Sequence, residues 1–387
     1  MNAMDTRKSM PTRIQDALLP LSWIYGSAAI LRRKLYAAHI REIKRLPRPT
    51  ISIGNMTTGG TGKTPMTVYL ARLLQNAGLT PLIVSRGYRG GASAGGGIVS
   101  DGRNILMDAG RSGDEPLLMA ERLPRVPVVV GRKRYDIAME VIRRFSPDVI
   151  LLDDGFQHFQ LARDIDIVLL DYARPLGNNR LLPAGTLREP AAVLRLADIL
   201  VFTRAENHPG PTHRQALEKI VKDKPVFYAC HDPIITHRVS GDGASIAPDR
   251  ETGIDALADH RVYVFCGLAD NRSFLESAGR LSPRIAGHRF FRDHHAYTPA
   301  DLSGIFRKAR ESGADIMLTS GKDYVKFRDR MPPERPCDLV VIDAAISIHD
   351  RAERFEKLIL TAIQERLEAA NDPHRLESHP SLFGRKF

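Results

Sequence analysis

Cysteine is scarce in this chain: there are three in 387 residues, Cys230, Cys266 and Cys337, far apart and with no CxxC pair. That argues against a disulfide framework or a structural zinc site and makes a reducing compartment the default. Long apolar runs are also lacking. The longest, Ala17 to Leu31, is interrupted by Pro20, Ser22 and Ser27, whereas a spanning helix needs roughly 20 predominantly apolar residues. Arg7, Lys8 and Arg13 ahead of this segment have the outline of a signal peptide, but Asp16 borders it and Arg32-Arg33-Lys34 follows at once. No internal repeat is visible, and the basic residues are not interleaved with a motif that reads nucleic acid, so no nucleic-acid partner is expected. With 43% hydrophobic and 26% charged residues, the composition excludes disorder, collagen and coiled coil, and it allows a sizeable core.

Positive charge is present in excess, and it is focused. The net charge is +11, and residues 1–48 hold ten Lys and Arg against three Asp and Glu. Such a focus predicts an anionic partner near the N-terminus: a membrane surface or a phosphorylated substrate. Ile14, Ala17, Leu21, Ile24, Ala28, Leu31 and Leu35 recur every three or four residues and form one apolar helical face. Trp23 and Tyr25 suit the headgroup level, and the flanking cations suit anionic lipid. The same stripe is also what a helix packed on its own domain would show. Residues 1–48 therefore read as an amphipathic, membrane-associating region.

From residue 49 onward short aliphatic runs alternate with helical stretches. Thr50–Ile53, Pro81–Ser85, Val126–Val130, Val149–Asp153, Ile165–Asp171 and Ile199–Thr203 read as strands buried on both faces. The alternation predicts an α/β fold with a doubly wound parallel sheet, spanning a core at 49–239. A Gly-, Asp- and Ala-rich linker is expected at 240–260, a second, smaller α/β domain at 261–350, and a C-terminal helix with a loose tail at 351–387.

The strongest local signal is Ile51-Ser52-Ile53 running into Gly54-Asn55-Met56-Thr57-Thr58-Gly59-Gly60-Thr61-Gly62-Lys63-Thr64-Pro65. Glycines let the backbone fold around phosphate with its N–H groups inward, and the helix that follows adds partial positive charge. The nucleotide phosphates are expected on Thr58 through Pro65, with Lys63 on the β/γ-phosphates and the Thr64 hydroxyl on Mg²⁺. GxxxxGK[ST] would need Gly where Thr57 stands, so the loop resembles the GGxGK[ST] variant of P-loop proteins, without the lysine some of them carry two residues before GG. The second signal is Val149-Ile150-Leu151-Leu152-Asp153-Asp154. An aliphatic strand ending in acid beside such a loop looks like a Walker-B element. Successive strand side chains point to opposite faces, so only one of Asp153 and Asp154 is expected to face the metal.

These two elements occur in order with SRGYRG (Ser85–Gly90), GDEP (Gly113–Pro116), DDGFQH (Asp153–His158), LLPAGTLREP (Leu181–Pro190) and DHHAY (Asp293–Tyr297). The ordered set closely resembles the tetraacyldisaccharide 4'-kinase family over about residues 15–345. The resemblance implies a P-loop kinase that moves the γ-phosphate of ATP, with Mg²⁺, to the 4'-hydroxyl of a tetraacyldisaccharide 1-phosphate, forming lipid IVA. It implies work at the cytoplasmic face of a Gram-negative inner membrane, on an acylated disaccharide lipid at an anionic surface, with no obligate protein partner evident. It also implies roles for single residues. Asp114 is the base for the attacking hydroxyl and His294 pairs with it, although the doublet leaves His295 open. Arg188 clamps developing phosphate charge. Glu115, Asp153, Asp154 and Glu189 join Thr64 as candidate metal contacts. Tyr88, Arg89, Arg132, Gln157 and His158 are expected to bind substrate. Thr203-Arg204-Ala205-Glu206 and Thr319-Ser320-Gly321-Lys322-Asp323 are both open as contacts to the base of the nucleotide. The rival is a membrane-recruited P-loop ATPase or GTPase switch that transfers phosphate only to water.

Overall fold

The computed structural model describes residues 12–206, 217, 220–221, 224–241, 245–246, 257–332, 335–349 and 351–370. Most of the expected linker at 240–260, the first eleven residues and the tail from 371 lie outside the described residues. The elements run α1 (Thr12–Ala17), α2 (Leu19–Ala37), β1 (Thr50–Asn55), α3 (Lys63–Asn76), β2 (Pro81–Ser85), β3 (Gly97–Asp101), α4 (Ala109–Ser112), α5 (Asp114–Arg122), β4 (Pro127–Val130), α6 (Arg134–Phe145), β5 (Val149–Asp153), β6 (Ile165–Asp171) and β7 (Ile199–Thr203). There follow β8 (Val226–Val239), β9 (Ser245–Ile246), β10 (Val262–Cys266), α7 (Asn271–Leu281), β11 (Ile285–Phe290), α8 (Pro299–Glu311), β12 (Ile316–Ser320), α9 (Gly321–Phe327), β13 (Asp338–Ile348) and α10 (Ala352–Ala370).

The aliphatic runs form strands because both faces are covered. Every residue of β1, β2, β5 and β7 is buried, and continuous apolar runs are what a doubly covered parallel sheet selects. The strands lie in one sheet in the order β11-β10-β12-β13-β8-β7-β6-β1-β5-β2-β4-β3, with β9 on β8. The pairings from β7 through β4 are parallel, as are those from β11 through β13. Between the two parallel halves lies an antiparallel ribbon, in which β13 pairs β8 from Leu339↔Val239 to Ile348↔Ala229.

Four strands escape the sequence reading, one of them the two-residue β9 inside the expected linker. β8 carries Pro233 and alternating polar residues, β11 is a half-exposed edge, and β3 is a short antiparallel edge. None has the aliphatic run of a doubly covered strand. The helix after residue 351, whose docking site the sequence hides, returns to the first half of the sheet. Phe355, Ile359 and Ile363 share a cluster with Ile51, Met66 and Leu70, and Arg366 donates to buried Asp164 at 2.7 Å.

The N-terminal helix packs on its own domain by one face and leaves apolar residues exposed on another. On one face α2 docks through small and polar groups. Ser22 Oγ donates to Leu181 O at 3.0 Å and accepts from Ala184 N at 3.0 Å. Tyr25 OH donates to Arg188 O at 3.0 Å. The opposite face leaves Leu21, Trp23, Ile24 and Leu31 exposed by half or more, Trp23 at 70%. Among the described residues no helix is long and apolar enough to cross a membrane.

Candidate active site

The site begins where β1 ends. Met56–Gly62 form the loop and α3 starts at Lys63, capped by Gly62 in the left-handed region at φ 85. That angle favours glycine, and a Cβ there would press on the tip of the His231 ring. The loop is held from outside. Asn55 Nδ2 donates to Thr61 Oγ1 at 2.9 Å, Thr203 Oγ1 to Thr61 O at 3.0 Å, Arg204 to Gly60 O at 2.8 Å and Thr58 N to Thr186 O at 2.8 Å. Three of these bonds use loop side chains or carbonyls, and the fourth takes the Thr58 N–H. A phosphate cradle needs its N–H groups turned inward.

Beside the loop β5 delivers its two acids in different directions. Asp153 is buried; Ser85 Oγ donates to its Oδ2 at 3.0 Å, while its Oδ1 has no partner among the described residues. Burial, then the charges of Glu115 and Asp154, push its pKa up to about 6. Asp154 follows in left-handed backbone, φ 50. Its carboxylate accepts from Arg188 at 2.8 and 3.0 Å and lies 3.6 Å from Lys63 Nζ. Burial alone would raise its pKa, but Lys63, Arg188 and Arg134 outweigh it and hold the group ionised. Gln157 donates to Asn55 O at 3.0 Å, pinning this turn to the start of the loop. Burial and the surrounding arginines, Arg134 and Arg163 first, press the His158 pKa down to about 3, so its ring is neutral at physiological pH.

Across the cavity Asp114 opens α5. Gly113, at φ 87, lets the chain turn against the Tyr88 carbonyl, 2.8 Å from where a Cβ would stand. Asp114 Oδ2 meets His294 Nδ1 at 3.0 Å, and Lys326 Nζ lies 3.3 Å from the same oxygen. Desolvation works to raise the Asp114 pKa, yet the His294 hydrogen bond and the charges of Lys326 and Lys322 bring it below the ordinary value. The Tyr88 ring stands edge-on to His294, with centroids 5.9 Å apart. His295 points elsewhere: its Nε2 lies 3.0 Å from Asp301 and its ring stacks on Phe291 at 4.5 Å. Lys322 sits between Glu115 (3.4 Å) and Asp293 (3.3 Å). Burial would lower its pKa, but these acids raise it, so the ammonium is firmly charged.

One cavity of about 1660 Å³ joins these groups. Its walls include Thr58 to Pro65, Asp114, Glu115, Asp153, Asp154, Gln157, His158, Arg188 and His294. Asp154, Arg204 and His294 take left-handed φ, at 50°, 58° and 61°. Strained backbone of this kind costs roughly 1–3 kcal/mol per residue and gathers at functional sites.

The sequence pattern of the family described as tetraacyldisaccharide-1-P 4'-kinase matches residues 14–364. The chain belongs to this family. It is 37% identical over 336 residues to the tetraacyldisaccharide 4'-kinase of Pelobacter propionicus, covering 84% of this chain and 87% of that one. To the protein of the same name from Geobacter metallireducens it is 39% identical over 320 residues, 82% of this chain and 90% of that one. Its fold matches a crystal structure of LpxK from Aquifex aeolicus in complex with ATP, with a TM-score of 0.71 and 34% identity, over 90% of this chain and 99% of that one. The reading as a nucleotide switch is not favoured.

Within this kinase, two expected residues have partners that the sequence did not suggest. Glu189, expected at the metal, accepts from Arg33 of α2 on both carboxylate oxygens, at 3.0 and 2.8 Å. It is 3% exposed and lines the cavity wall, and the guanidinium takes one acceptor position on each oxygen. Arg89, expected at the substrate, turns its guanidinium over the Tyr88 ring at 5.6 Å and does not line the cavity; Arg86 does. Arg132 lines the wall with Lys133. The TSGKD segment borders Glu115 through Lys322, whereas Thr203 and Arg204 hold the loop itself. Sequence reasoning missed Lys326 and Arg33. Lys326 lies three residues beyond that segment, one helical turn from Asp323, and only this spacing hinted at it.

Proposed function

We propose that this chain is an ATP-dependent kinase that phosphorylates the 4'-hydroxyl of a tetraacyldisaccharide 1-phosphate, with the loop Thr58–Pro65 holding the triphosphate and Asp114 serving as base. The observation that carries this reading is the Asp114–His294 contact at 3.0 Å, spanning 180 positions of sequence and facing the GKT loop across one cavity. Asp114 Oδ2 is occupied by His294 and Lys326, and Oδ1 has no partner among the described residues. That oxygen is available to take the hydroxyl proton. The acceptor O–P bond then forms as the bond from the γ-phosphorus to the β-phosphate oxygen breaks. Lys63 and Arg188, both on Asp154 here, supply the positive charge that stabilises the transferring group. His294 orients the carboxylate and shares its proton.

Mg²⁺ fits the donors present. The unpartnered, buried Oδ1 of Asp153 is a hard oxygen in the same cavity wall as Thr64, and the charges of Glu115 and Asp154 act on it. Among the described residues no group of three or more His, Cys, Asp or Glu forms a metal cage, and Mg²⁺ is ordinarily held through one or two carboxylates plus substrate phosphates. When bound, it neutralises phosphate charge. Tyr88, Arg132, Gln157 and His158 belong to acceptor and phosphate positioning. We assign the kinase core to 49–239 and the smaller lobe to 261–350. Residues 1–48 form a peripheral anchor for the cytoplasmic face of an inner membrane, since the outward apolar face of α2 opens next to the cavity.

The test is incubation with γ-labelled ATP, Mg²⁺ and the disaccharide 1-phosphate in detergent, followed by chromatography of the lipid. Label in the lipid at the 4'-position is expected. Label released only as inorganic phosphate overturns the assignment.

A further inference from the structure

The strongest unassigned feature is a pair of lysines on α9, in the smaller lobe, that reach across to α5 of the core. Lys326 Nζ lies 3.3 Å from Asp114 Oδ2 and 3.1 Å from Asp323 Oδ1, with its side chain 8% exposed. Asp323 is fully buried, and its other oxygen accepts from Gly267 N at 2.9 Å and Ser320 Oγ at 2.7 Å. The ammonium is thus fixed by a carboxylate that is itself fixed by backbone. It does not line the cavity, so it cannot touch the acceptor. One turn earlier, Lys322 bridges Glu115 and Asp293, and two residues on, just past α9, Arg328 pairs with Glu121.

We propose that Lys326 is a positioning residue for the phosphoryl transfer: it holds Asp114 by one oxygen, against His294, so that the other is presented to the acceptor only when α9 sits on α5. This rests on the reading of Asp114 as the base. A base helps only when its free oxygen reaches the reacting proton, and misplacement by about 1 Å can cost roughly 10²-fold. His294 alone fixes one contact and leaves the carboxylate free to swing about it. The Lys326 ammonium on the same oxygen removes that freedom. Because His294 and Lys326 come from one lobe and Asp114 from the other, the oriented base exists only with the lobes together. A plain interlobe ion pair would affect stability and every step alike. A positioning residue affects kcat and acts only through Asp114.

The test is a double-mutant cycle of Lys326→Met with Asp114→Asn in the full chain, read as kcat and KM for ATP with the disaccharide 1-phosphate. Lys326→Met is expected to lower kcat by about 10–100-fold, a share of the roughly 10²–10⁴ that a positioned base contributes. KM for ATP should stay within about threefold. In the Asp114→Asn background the same change should alter kcat by less than about threefold. If Lys326→Met alone does not fold, Asp114→Asn with Lys326→Met removes both charges together and is compared with Asp114→Asn. An unchanged kcat in the single variant, or an equal further loss in the double, overturns the proposal. The His294 ring ¹⁵N resonance, assigned with His294→Ala, gives a readout free of turnover. It should shift in Lys326→Met, and an unmoved resonance overturns the positioning role even if the lipid is not the acceptor. An inactive parent chain with a shifted resonance would instead count against the lipid 4'-kinase reading.

Discussion

At the scale of single residues the proposed transfer asks for charges that neutralise phosphate and groups that handle a proton. Lys63 is the clearest of the first kind. Removing one such preorganised charge costs about 10²–10³ in rate, so Lys63→Ala should lose most lipid phosphorylation while keeping the parent melting temperature. Near-normal labelling by the folded variant would contradict the loop assignment. Asp114 leads the second kind, and its lowered pKa has a stability consequence. An unfolded Asp titrates near 3.9, and the folded group titrates below that. Between the two values the unfolded chain binds more protons, so stability rises with pH there. The contribution is complete above about 4 and is lost as pH falls through the folded value. Denaturant titrations at stepped pH should therefore show the parent losing stability faster below about 4 than Asp114→Asn; identical slopes would contradict the interaction. Lys63 stood out in the sequence through the spacing of the Gly-rich loop, whereas Asp114 came only from the resemblance of GDEP to the family's motif. The choice of His294 over His295 was not legible, since neighbours in a doublet differ only in the backbone angle that aims them, φ 61 at His294.

At the scale of elements α2 shows why an apolar stripe alone is ambiguous. Its small and polar residues, Ser22, Gly26 and Tyr25, face the 181–190 loop, and its large apolar residues face out. Composition shows both sets but not which of them docks. Arg33 ties the helix to Glu189, whose carboxylate is buried. Removing one partner of a buried pair leaves an uncompensated charge, so Arg33→Ala should destabilise the protein by about 3 kcal/mol in denaturant melts. Arg33→Ala with Glu189→Gln should recover part of that, and an unaffected Arg33→Ala protein would contradict the docking. Because deleting α2 would also break this pair, the anchor is better tested on its outer face. Leu21→Ser, Ile24→Ser and Leu31→Ser together should weaken sedimentation with phosphatidylglycerol–phosphatidylethanolamine vesicles and leave the melting temperature unchanged. Unreduced vesicle binding would place the anchor elsewhere.

At the scale of the whole molecule the sheet explains how Asp114 and His294, 180 positions apart, come within 3.0 Å. The parallel half carrying the GKT loop and the half carrying β10 to β12 are joined by the β8–β13 ribbon, and α10 returns from the second half to pack on the first. The alternation of buried strands and helices was legible from residue 49 onward, whereas the ribbon was not, because Pro233 and the polar residues of β8 hide it. The central claim is that Asp114 from one half and His294 from the other act as a single unit. A double-mutant cycle on kcat with lipid acceptor tests it most directly. Asp114→Ala and His294→Ala should each lower kcat strongly, with much smaller effects on ATP binding, and the double variant should cost little more than the worse single, since residues acting together are non-additive. Independent losses that multiply in the double variant would contradict the account.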